Sequence, residues 1–276
     1  MQVRRSCYYS WRANAGYGFS VGKIRQTARI KECFYFHRRR YGSRRIAAEL
    51  RIGRFRARSV MKREGLRAIA PKRFKPQTTD SKHGLATSPN LLQNPLNAPT
   101  GKGEVFVGDI TYLAVRGGFC YLACLQDKFT RRIVAWQVSE RMTAQLVIDV
   151  FLSARRRGLI GKCAIIHTDR GSQYASVDYR RLLYIGGFRQ SMSRRGNCYD
   201  NAQAESFFSR FKAELVENGV FESVEQARSE VFSYIEGYYN RIRLHSGLGY
   251  KSPMEFEKQL EIKNERSRES FVSTFT

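Results

Sequence analysis

The sequence has little proline and no apolar run long enough to cross a membrane. Five of its six prolines fall between residues 71 and 100, so the rest of the chain can form uninterrupted helices and strands. A membrane-spanning helix needs about 20 consecutive apolar residues. Neither such a run nor a signal-peptide pattern occurs in the chain. We therefore expect a soluble protein that does not act in a membrane.

Cysteine and histidine patterns of structural metal sites are also missing. The six cysteines include no CxxC pair and the four histidines include no HxxxH pair. Cys120 and Cys124 fall in an apolar, strand-like run, where a free thiol behaves as a small hydrophobic group. The pattern predicts reduced cysteines, no structural zinc site and a cytoplasmic protein.

Acidic residues are scarce. The chain has 24 of them against 49 lysines and arginines, a net charge of +25. Residues 1–80 hold 22 of the basic residues and 4 of the acidic ones, an excess of 18. Because each separate contact of a lysine or arginine with a phosphate releases counterions, this balance predicts a polyanionic partner. Nucleic acid is the first candidate and an acidic membrane surface the second.

Residues 1–70 form a basic region with a helix-turn-helix-like pattern at 43–65. Apolar residues with helical spacing occur on both sides of Gly53 and stop at Gly65. We therefore expect two short helices joined by a tight turn. The second helix carries several basic side chains, which could enter a major groove or lie across phosphates. The alternative is a basic face that is only solvated. The candidate DNA-binding residues here are Arg54, Arg58, Lys62 and Arg63.

The composition changes twice along the rest of the chain. Proline, asparagine, serine and threonine are concentrated in residues 71–102, which is typical of a linker. From Glu104 onward, strand-like and helix-like patterns alternate. We predict a folded core domain at 103–257 and a charged C-terminal tail at 258–276.

Within the core domain, three runs with a period of two predict an antiparallel meander. Helices that begin near Thr143 and Val177 alternate with two further strands. The last helix starts with Asp200 as its N-cap and Gln203 three residues later. The predicted strands are 104–115, 119–125, 133–138, 163–167 and 188–191. This order predicts an α/β fold, a mixed five-stranded sheet with flanking helices, preceded by the small helical domain.

Three carboxylates lie at or near the ends of predicted strands or on the helix that follows the last strand. Asp109 is expected at or near the end of the first strand, Asp169 follows the fourth, and Glu205 lies on the helix after the fifth. If the first and fourth strands are neighbours, all three groups converge. Converging carboxylates repel one another, and Mg²⁺ relieves this repulsion because it prefers oxygen ligands. Two such ions, roughly 3.5 to 4 Å apart, can assist an in-line phosphoryl displacement.

The contexts of these residues resemble a known family. The segments are VGDITYL around Asp109, HTDRGSQY around Asp169, GNCYDNAQAESFFSRFKAEL around Glu205, and YYNRIRLHSGLGYKSPMEF near the end. They are similar to the integrase-core transposases of bacterial insertion sequences, specifically the second-frame product of the IS-three type. The interval of 35 residues between Asp169 and Glu205 is the family's interval. Leu244 departs from the family, which usually has proline before His245, and this change should loosen a turn.

The resemblance implies an RNase H-like core and a DDE transposase. Asp109, Asp169 and Glu205 would be the catalytic residues and the ligands of two Mg²⁺ ions, with Mn²⁺ as a substitute. The enzyme would cleave one strand at the ends of the element with water and join the freed 3′-hydroxyl to DNA, without a covalent protein intermediate. Lys212 would contact the DNA end, although a solvated lysine is equally compatible with the sequence. Asn201 would orient Glu205 or the terminal base.

The resemblance also implies partners. These are the terminal inverted repeats of the element, the target DNA and further copies of the chain in a homo-oligomer on DNA. The sequence shows no heptad run of apolar residues for a coiled coil. We therefore expect an upstream-frame product to supply pairing and end recognition, as a fusion made by frameshifting. The expected location is the bacterial cytoplasm, in association with the nucleoid.

Two other functions stay open at this point. One is a non-catalytic DNA-binding relic or regulator, against which the presence of all three carboxylates counts. The other is a simple RNase H-like nuclease, against which the basic N-terminal region counts. Among single residues, His167 and Asp127 are expected to be structural. Three more, Asn240, Arg243 and His245, either bind DNA or tie the last helix to the core.

Overall fold

The computed structural model of the protein describes residues 4–13, 21–71, 84–194, 202–216 and 219–273. The chain divides into two compact units, Met1–Ile69 and Ala70–Thr276. Each unit contains its own buried apolar residues. Within the described ranges, no helix is both long enough and apolar enough to span a bilayer.

The N-terminal unit is helical. Its described helices are α1 (Arg5–Ala13), α2 (Val21–Phe36), α3 (Ser43–Leu50) and α4 (Arg54–Arg63). The short helices expected on either side of Gly53 are present as α3 and α4, and both pack against α2. Arg51 ends α3 in the left-handed region, with φ 52°, and Gly53 precedes α4 in an extended conformation. Each helix of this trio contributes buried apolar side chains.

The second unit is built on one mixed sheet. Its strands are β1 (Val105–Val115), β2 (Gly118–Asp127), β3 (Ile133–Ser139), β4 (Ile165–Thr168) and β5 (Arg189–Met192). The order across the sheet is β3-β2-β1-β4-β5. The first three strands run antiparallel to one another, whereas β4 is parallel to both β1 and β5. The predicted meander and the predicted mixed sheet are therefore confirmed.

Helices cover both faces of this sheet. They are α5 (Ala144–Arg156), α6 (Ser172–Ala175), α7 (Val177–Ile185), α8 (Ala202–Leu215), α9 (Val224–Phe232) and α10 (Pro253–Ser273). Phe106 of β1 belongs to a core with residues of α5, α6 and α7. Leu113 of β1 belongs to a second core with residues of α8 and α9. Because alternate residues of a strand point to opposite faces, β1 serves both cores.

The second half of the expected linker is attached to the sheet. Met192 N–H donates to the Pro89 carbonyl at 3.3 Å, and Leu91 N–H donates to the Ser191 hydroxyl at 2.9 Å. Ser88 donates to the Gln190 side chain at 2.8 Å. Short 3₁₀ turns at Leu91–Gln93 and Pro95–Asn97 follow. This segment therefore protects the outer edge of β5.

The residues expected to form a charged tail continue a helix. α10 runs from Pro253 to Ser273, through the predicted boundary at residue 258. Glu257 of α10 accepts a hydrogen bond from Thr130 at 3.0 Å and forms an ion pair with Arg132 at 2.6 Å. Glu261 pairs with Lys102. Acidic side chains of α10 thus bind basic residues and a hydroxyl of the core, contacts that composition alone does not predict.

Smaller corrections concern element ends. The strand predicted at 163–167 is Ile165–Thr168, because Cys163 adopts a positive φ of 57° that does not suit a strand. Thr143 occupies the N-cap position of α5 but makes no side-chain capping hydrogen bond. The predicted cap Asp200 lies outside the described residues. α7 has the predicted bounds, Val177–Ile185.

Candidate active site

Asp109 lies in β1, on the face of the sheet that α8 and α9 cover. It is four residues from Leu113 of that core, so the two-residue period puts both on one side. It is opposite the buried Cys124 of β2. The expectation that Asp109 nearly ends its strand is wrong, because pairing with β2 carries β1 on to Val115. The parallel pairing with β4, however, stops at Val107, just before Asp109.

Asp169 follows the last residue of β4. Val107 of β1 is in register with His167 of β4, so two steps along each parallel strand bring Asp109 and Asp169 to the same level. His167 and Asp169 are also two residues apart and leave the strand on the same side. The Asp169 carboxylate accepts a hydrogen bond from Gly171 N–H at 2.9 Å. A Cβ at Gly171 would lie 3.1 Å from that oxygen, so glycine leaves room for the carboxylate.

Glu205 approaches from α8, which packs on this face of the sheet. The helix is anchored by its apolar stripe, in which Phe207, Phe208 and Phe211 are all buried in the second core. Glu205 lies at the border of this stripe and is exposed. Two aspartates from neighbouring parallel strands and a glutamate from the helix above them therefore lie on one face of the sheet, although their carboxylate oxygens do not all come within 4.8 Å of one another.

The three carboxylates interact electrostatically. The pKa of Asp109 is raised well above its ordinary value, first by burial, then by the charge of Asp169, with a smaller contribution from Glu205. The hydrogen bond from Ile110 N–H, 2.8 Å long, and the charge of Lys212 act in the opposite direction. A partly buried cluster of like charges thus lowers the stability of the folded protein. Such clusters are typical of functional sites.

Lys212 lies two turns after Glu205 on the same side of α8, and it is half-buried. Burial lowers the pKa of Lys212, and the nearby Asp109 raises it. The reciprocal effect appears at Asp109, where Lys212 lowers the pKa. Lys212 is therefore part of the electrostatics of the carboxylate site and differs from a fully solvated surface lysine.

Gln203 holds α8 to the sheet, a role that goes beyond the helix capping predicted from the sequence. The Gln203 amide nitrogen donates to Gln126 Oε1 at 3.1 Å and lies 3.3 Å from the Lys128 carbonyl. Gln126 is buried at the end of β2 and donates to the Tyr239 hydroxyl at 2.9 Å. This contact fixes the first turn of α8 two residues before Glu205. It joins residues 77 apart in the chain, so no local pattern could have shown it.

The other candidate DNA-binding residues are placed differently. Arg54, Arg58 and Lys62 follow one another at intervals of four on α4 and are exposed, so they form one basic stripe. Arg63 is engaged within the unit, since it pairs with Glu64 at 2.9 Å and donates to Thr27 at 2.8 Å. The candidate Asn201 lies outside the described residues.

The residues whose role the sequence left open bind the core. Asn240 is buried and exchanges two hydrogen bonds of 3.0 Å with the backbone of Ile133 in β3. Arg243 is buried and forms a bidentate ion pair with Glu214 of α8, at 2.9 and 2.6 Å. The His245 ring packs edge-on against Tyr239, with 4.9 Å between ring centroids. These contacts support the structural alternative to DNA binding.

His167 and Asp127 are structural, as expected. The His167 ring is buried and its nitrogens lie 2.8 Å from the Ser191 hydroxyl and 3.2 Å from the Ser193 hydroxyl. Asp127 ends β2 and accepts backbone hydrogen bonds from Phe129, Thr130 and Gly103, of 2.6 to 2.8 Å. Both side chains are therefore buried and hydrogen-bonded within the domain.

The sequence matches two models described as "Integrase core domain", over residues 99–198 and 205–260. The transposase for insertion sequence element IS904 of Lactococcus lactis is 42% identical over 83% of this chain and 92% of that protein. Transposase InsF for insertion sequence IS3A of Escherichia coli is 40% identical over 94% of this chain and 92% of that protein. Among solved structures, the HTLV-2 integrase catalytic core domain in complex with magnesium, in its trimeric form, covers 58% of this chain and 99% of that chain, with 14% identity and a TM-score of 0.45.

Three antiparallel strands followed by two parallel ones, with helices on both faces, make the second unit an RNase H-like domain. Together with the integrase-core matches, this fold defines an enzyme of the DNA transposase and integrase class. The chain belongs to the IS-three-type family of insertion-sequence transposases.

Proposed function

We propose that the protein is a DDE transposase that cleaves DNA at the ends of its insertion sequence and transfers the freed 3′-hydroxyl to target DNA. Asp109, Asp169 and Glu205 are its catalytic carboxylates. The observation that carries this proposal is their convergence on one face of the sheet, with Asp109 and Asp169 level on neighbouring parallel strands. Burial and then the charge of Asp169 raise the pKa of Asp109, which is consistent with a site that holds cations.

The donor set fits Mg²⁺, with Mn²⁺ as a substitute. All three ligands are carboxylates, the oxygen donors that hard divalent cations prefer, and a cation would relieve the repulsion that the cluster now bears. Asp109, Asp169 and Glu205 would hold the ions. Two bound ions supply charge stabilisation of the attacking and leaving oxygens in an in-line displacement, with no covalent bond from protein to DNA.

The basic side chains have positioning roles in this proposal. Lys212, which lies close enough to Asp109 to affect its pKa, would bind a phosphate of the DNA end beside the scissile bond. The stripe of Arg54, Arg58 and Lys62 would bind phosphates elsewhere on the DNA. Arg63 would contribute less, because it is already hydrogen-bonded to Thr27 and Glu64.

The test is a cleavage and joining assay with the purified chain and a labelled element end. With Mg²⁺ or Mn²⁺ we expect a nick at the 3′ end and joined products. Ca²⁺ should permit binding with poor chemistry, since its longer and looser coordination misplaces the reacting oxygens. Cleavage without joining would instead support a simple nuclease. Binding without either reaction, both by the chain and by its fusion to the upstream-frame product proposed below, would support a DNA-binding relic.

We also propose two kinds of protein partner. Joining two element ends requires two active sites held together, so the active form would be a homo-oligomer on DNA. The family resemblance further implies an upstream-frame product, fused to this chain by frameshifting, that recognises the terminal inverted repeats. Comparing the chain with such a fusion in a transposition assay tests this part. Equal end specificity and efficiency for both proteins would contradict it.

A further inference from the structure

Three potential metal ligands meet in the N-terminal unit. Cys33 lies on α2, His37 directly follows the last residue of that helix, one turn after Cys33, and Glu49 lies on α3. The Cys33 sulfur, an imidazole nitrogen of His37 and a carboxylate oxygen of Glu49 all lie within 4.8 Å of one another. His37 Nε2 is 3.0 and 2.9 Å from the two Glu49 oxygens. No other group of three such ligands meets this criterion in the described part of the chain.

Two of these ligands, Cys33 and His37, are buried, whereas the third, Glu49, is partly exposed to solvent. Cys33 is 6% exposed and His37 is 1% exposed, whereas the Glu49 side chain is 34% exposed. The His37 ring stacks on Tyr41, with 3.6 Å between ring centroids and 9° between planes. The ring orientation is thus set by packing, and solvent reaches the cluster past Glu49.

We propose that Cys33, His37 and Glu49 form a zinc site, with water as the fourth ligand on the side of Glu49. Thiolate, imidazole and carboxylate are the three side-chain ligands that Zn²⁺ uses. Tetrahedral bonds of about 2.0 to 2.3 Å separate ligand atoms by roughly 3.3 to 3.6 Å. The present His37 to Glu49 distances of 2.9 to 3.0 Å therefore need to open by only a few tenths of an ångström.

Zinc would connect the first helix of the α3–α4 pair to α2. Without the metal, the hydrogen bonds between His37 and Glu49 add to the apolar packing of α3 against α2. A metal bound only in the folded state stabilises that state, so the α3–α4 pair would be held more firmly. Metal binding also has a cost, because burial and then Glu49 raise the pKa of Cys33 to about 12 and the thiol proton must leave.

Two features hide this cluster in the sequence. Cys33 and His37 have the spacing CxxxH, which is neither the CxxC nor the HxxxH pattern of common metal sites. The third ligand comes from the next helix, 12 residues after His37, and only the turn between α2 and α3 brings it close.

The test is a Co²⁺ titration of the metal-free, full-length protein in excess Mg²⁺, which occupies carboxylate sites. We expect a sulfur-to-cobalt charge-transfer band that saturates at one equivalent and disappears when Zn²⁺ is added. Cys33→Ser should abolish the band. Glu49→Gln, which can still accept a hydrogen bond from His37, should weaken binding at least about tenfold. Cys163→Ser is the matched control, because Cys163 is an exposed cysteine outside the cluster, and it should leave the band unchanged.

Two results would overturn the proposal. One is the absence of a band in the wild-type protein, which would make the cluster an ion pair with a neighbouring thiol. The other is a band that survives Cys33→Ser, which would place the bound cobalt at another cysteine. Circular dichroism of each variant checks that it is folded, and Glu49→Gln tests the site independently of any effect of Cys33→Ser on packing.

Discussion

At the scale of single residues, the proposed active site contains groups that lower the stability of the folded protein. Asp109 is held beside Asp169 on a neighbouring strand, and its pKa is raised well above the ordinary value by burial and by that charge. A carboxyl whose pKa is higher in the folded state binds its proton more tightly when folded. The folded state therefore loses stability as pH rises from the ordinary pKa toward the raised one.

This relation predicts the effect of Asp109→Asn on stability. Without metal at neutral pH, we expect the variant to be more stable than the wild type, because it lacks the charge that burial and Asp169 disfavour. The advantage should vanish at acidic pH, where Asp109 is protonated. Thermal unfolding across pH measures this, with Asp178→Asn at the exposed start of α7 as control. A less stable variant at neutral pH would contradict the account.

Lys212 allows a second prediction at this scale. We expect Lys212→Gln to weaken binding of the element end and to slow cleavage about tenfold or more, because a charge beside Asp109 is lost. Lys212→Arg should retain much of the activity. Lys263→Gln, on the exposed part of α10, is the control. Cleavage by Lys212→Gln at the wild-type rate would remove this lysine from the site.

At the scale of elements, local patterns predicted much of the fold. The bounds of α7 and the turn at Gly53 between α3 and α4 are predictable from the sequence, because they depend on residues close together in the chain. The attachment of Pro89 and Leu91 to β5 is not predictable from the sequence, since hydrogen bonds between residues about 100 positions apart leave no periodic signal. The contacts of Glu257 across the core were missed for the same reason.

In the proposed site, too, residues in recognisable local motifs are predictable from the sequence, whereas contacts between distant residues are not. Asp109, Asp169 and Glu205 are predicted as site residues from their sequence contexts and from resemblance to a family. The contact between Gln203 and Gln126 was not found, because a strand end and a helix start meet only in the folded sheet. We assign Gln203 as a positioning residue, which acts on the reaction through the placement of Glu205.

This assignment predicts the behaviour of Gln203→Ala. We expect the cleavage rate at saturating DNA to fall roughly ten- to a hundredfold, because small displacements of a catalytic group are costly. DNA affinity and the melting temperature should change little, and Gln203→Glu should not restore the rate. Gln145→Ala, on the exposed first turn of α5, is the control. A loss of affinity with an unchanged saturated rate would argue against positioning.

At the scale of the whole molecule, charge is distributed unequally. The first 80 residues carry 22 of the 49 basic side chains and 4 of the 24 acidic ones. The basic stripe on α4 consists of exposed arginine and lysine, which favours phosphate contacts over reading of base edges. In the proposed function, the second unit would carry out the chemistry and the N-terminal unit would supply much of the non-specific affinity for DNA.

This division predicts the salt response of DNA binding. We expect Arg58→Ala to weaken binding to all sequences alike and to reduce the slope of log affinity against log salt by about one. Cleavage of saturated DNA should not change. Fluorescence anisotropy between low and physiological salt measures the slope, with Arg181→Ala on α7 as control. An unchanged slope would show that Arg58 does not contact phosphate.

The central claim is that Asp109, Asp169 and Glu205 together carry out the chemistry. The most direct measurement is cleavage and joining of a labelled element end in Mg²⁺. The variants to compare are Asp109→Asn, Asp169→Asn and Glu205→Gln. The controls are the wild type and Glu225→Gln, a change at an exposed glutamate of α9. Each of the three variants should lose both reactions, by at least about a thousandfold, while still binding DNA; Glu225→Gln should react normally. Near-normal cleavage by any one of the three would contradict the account.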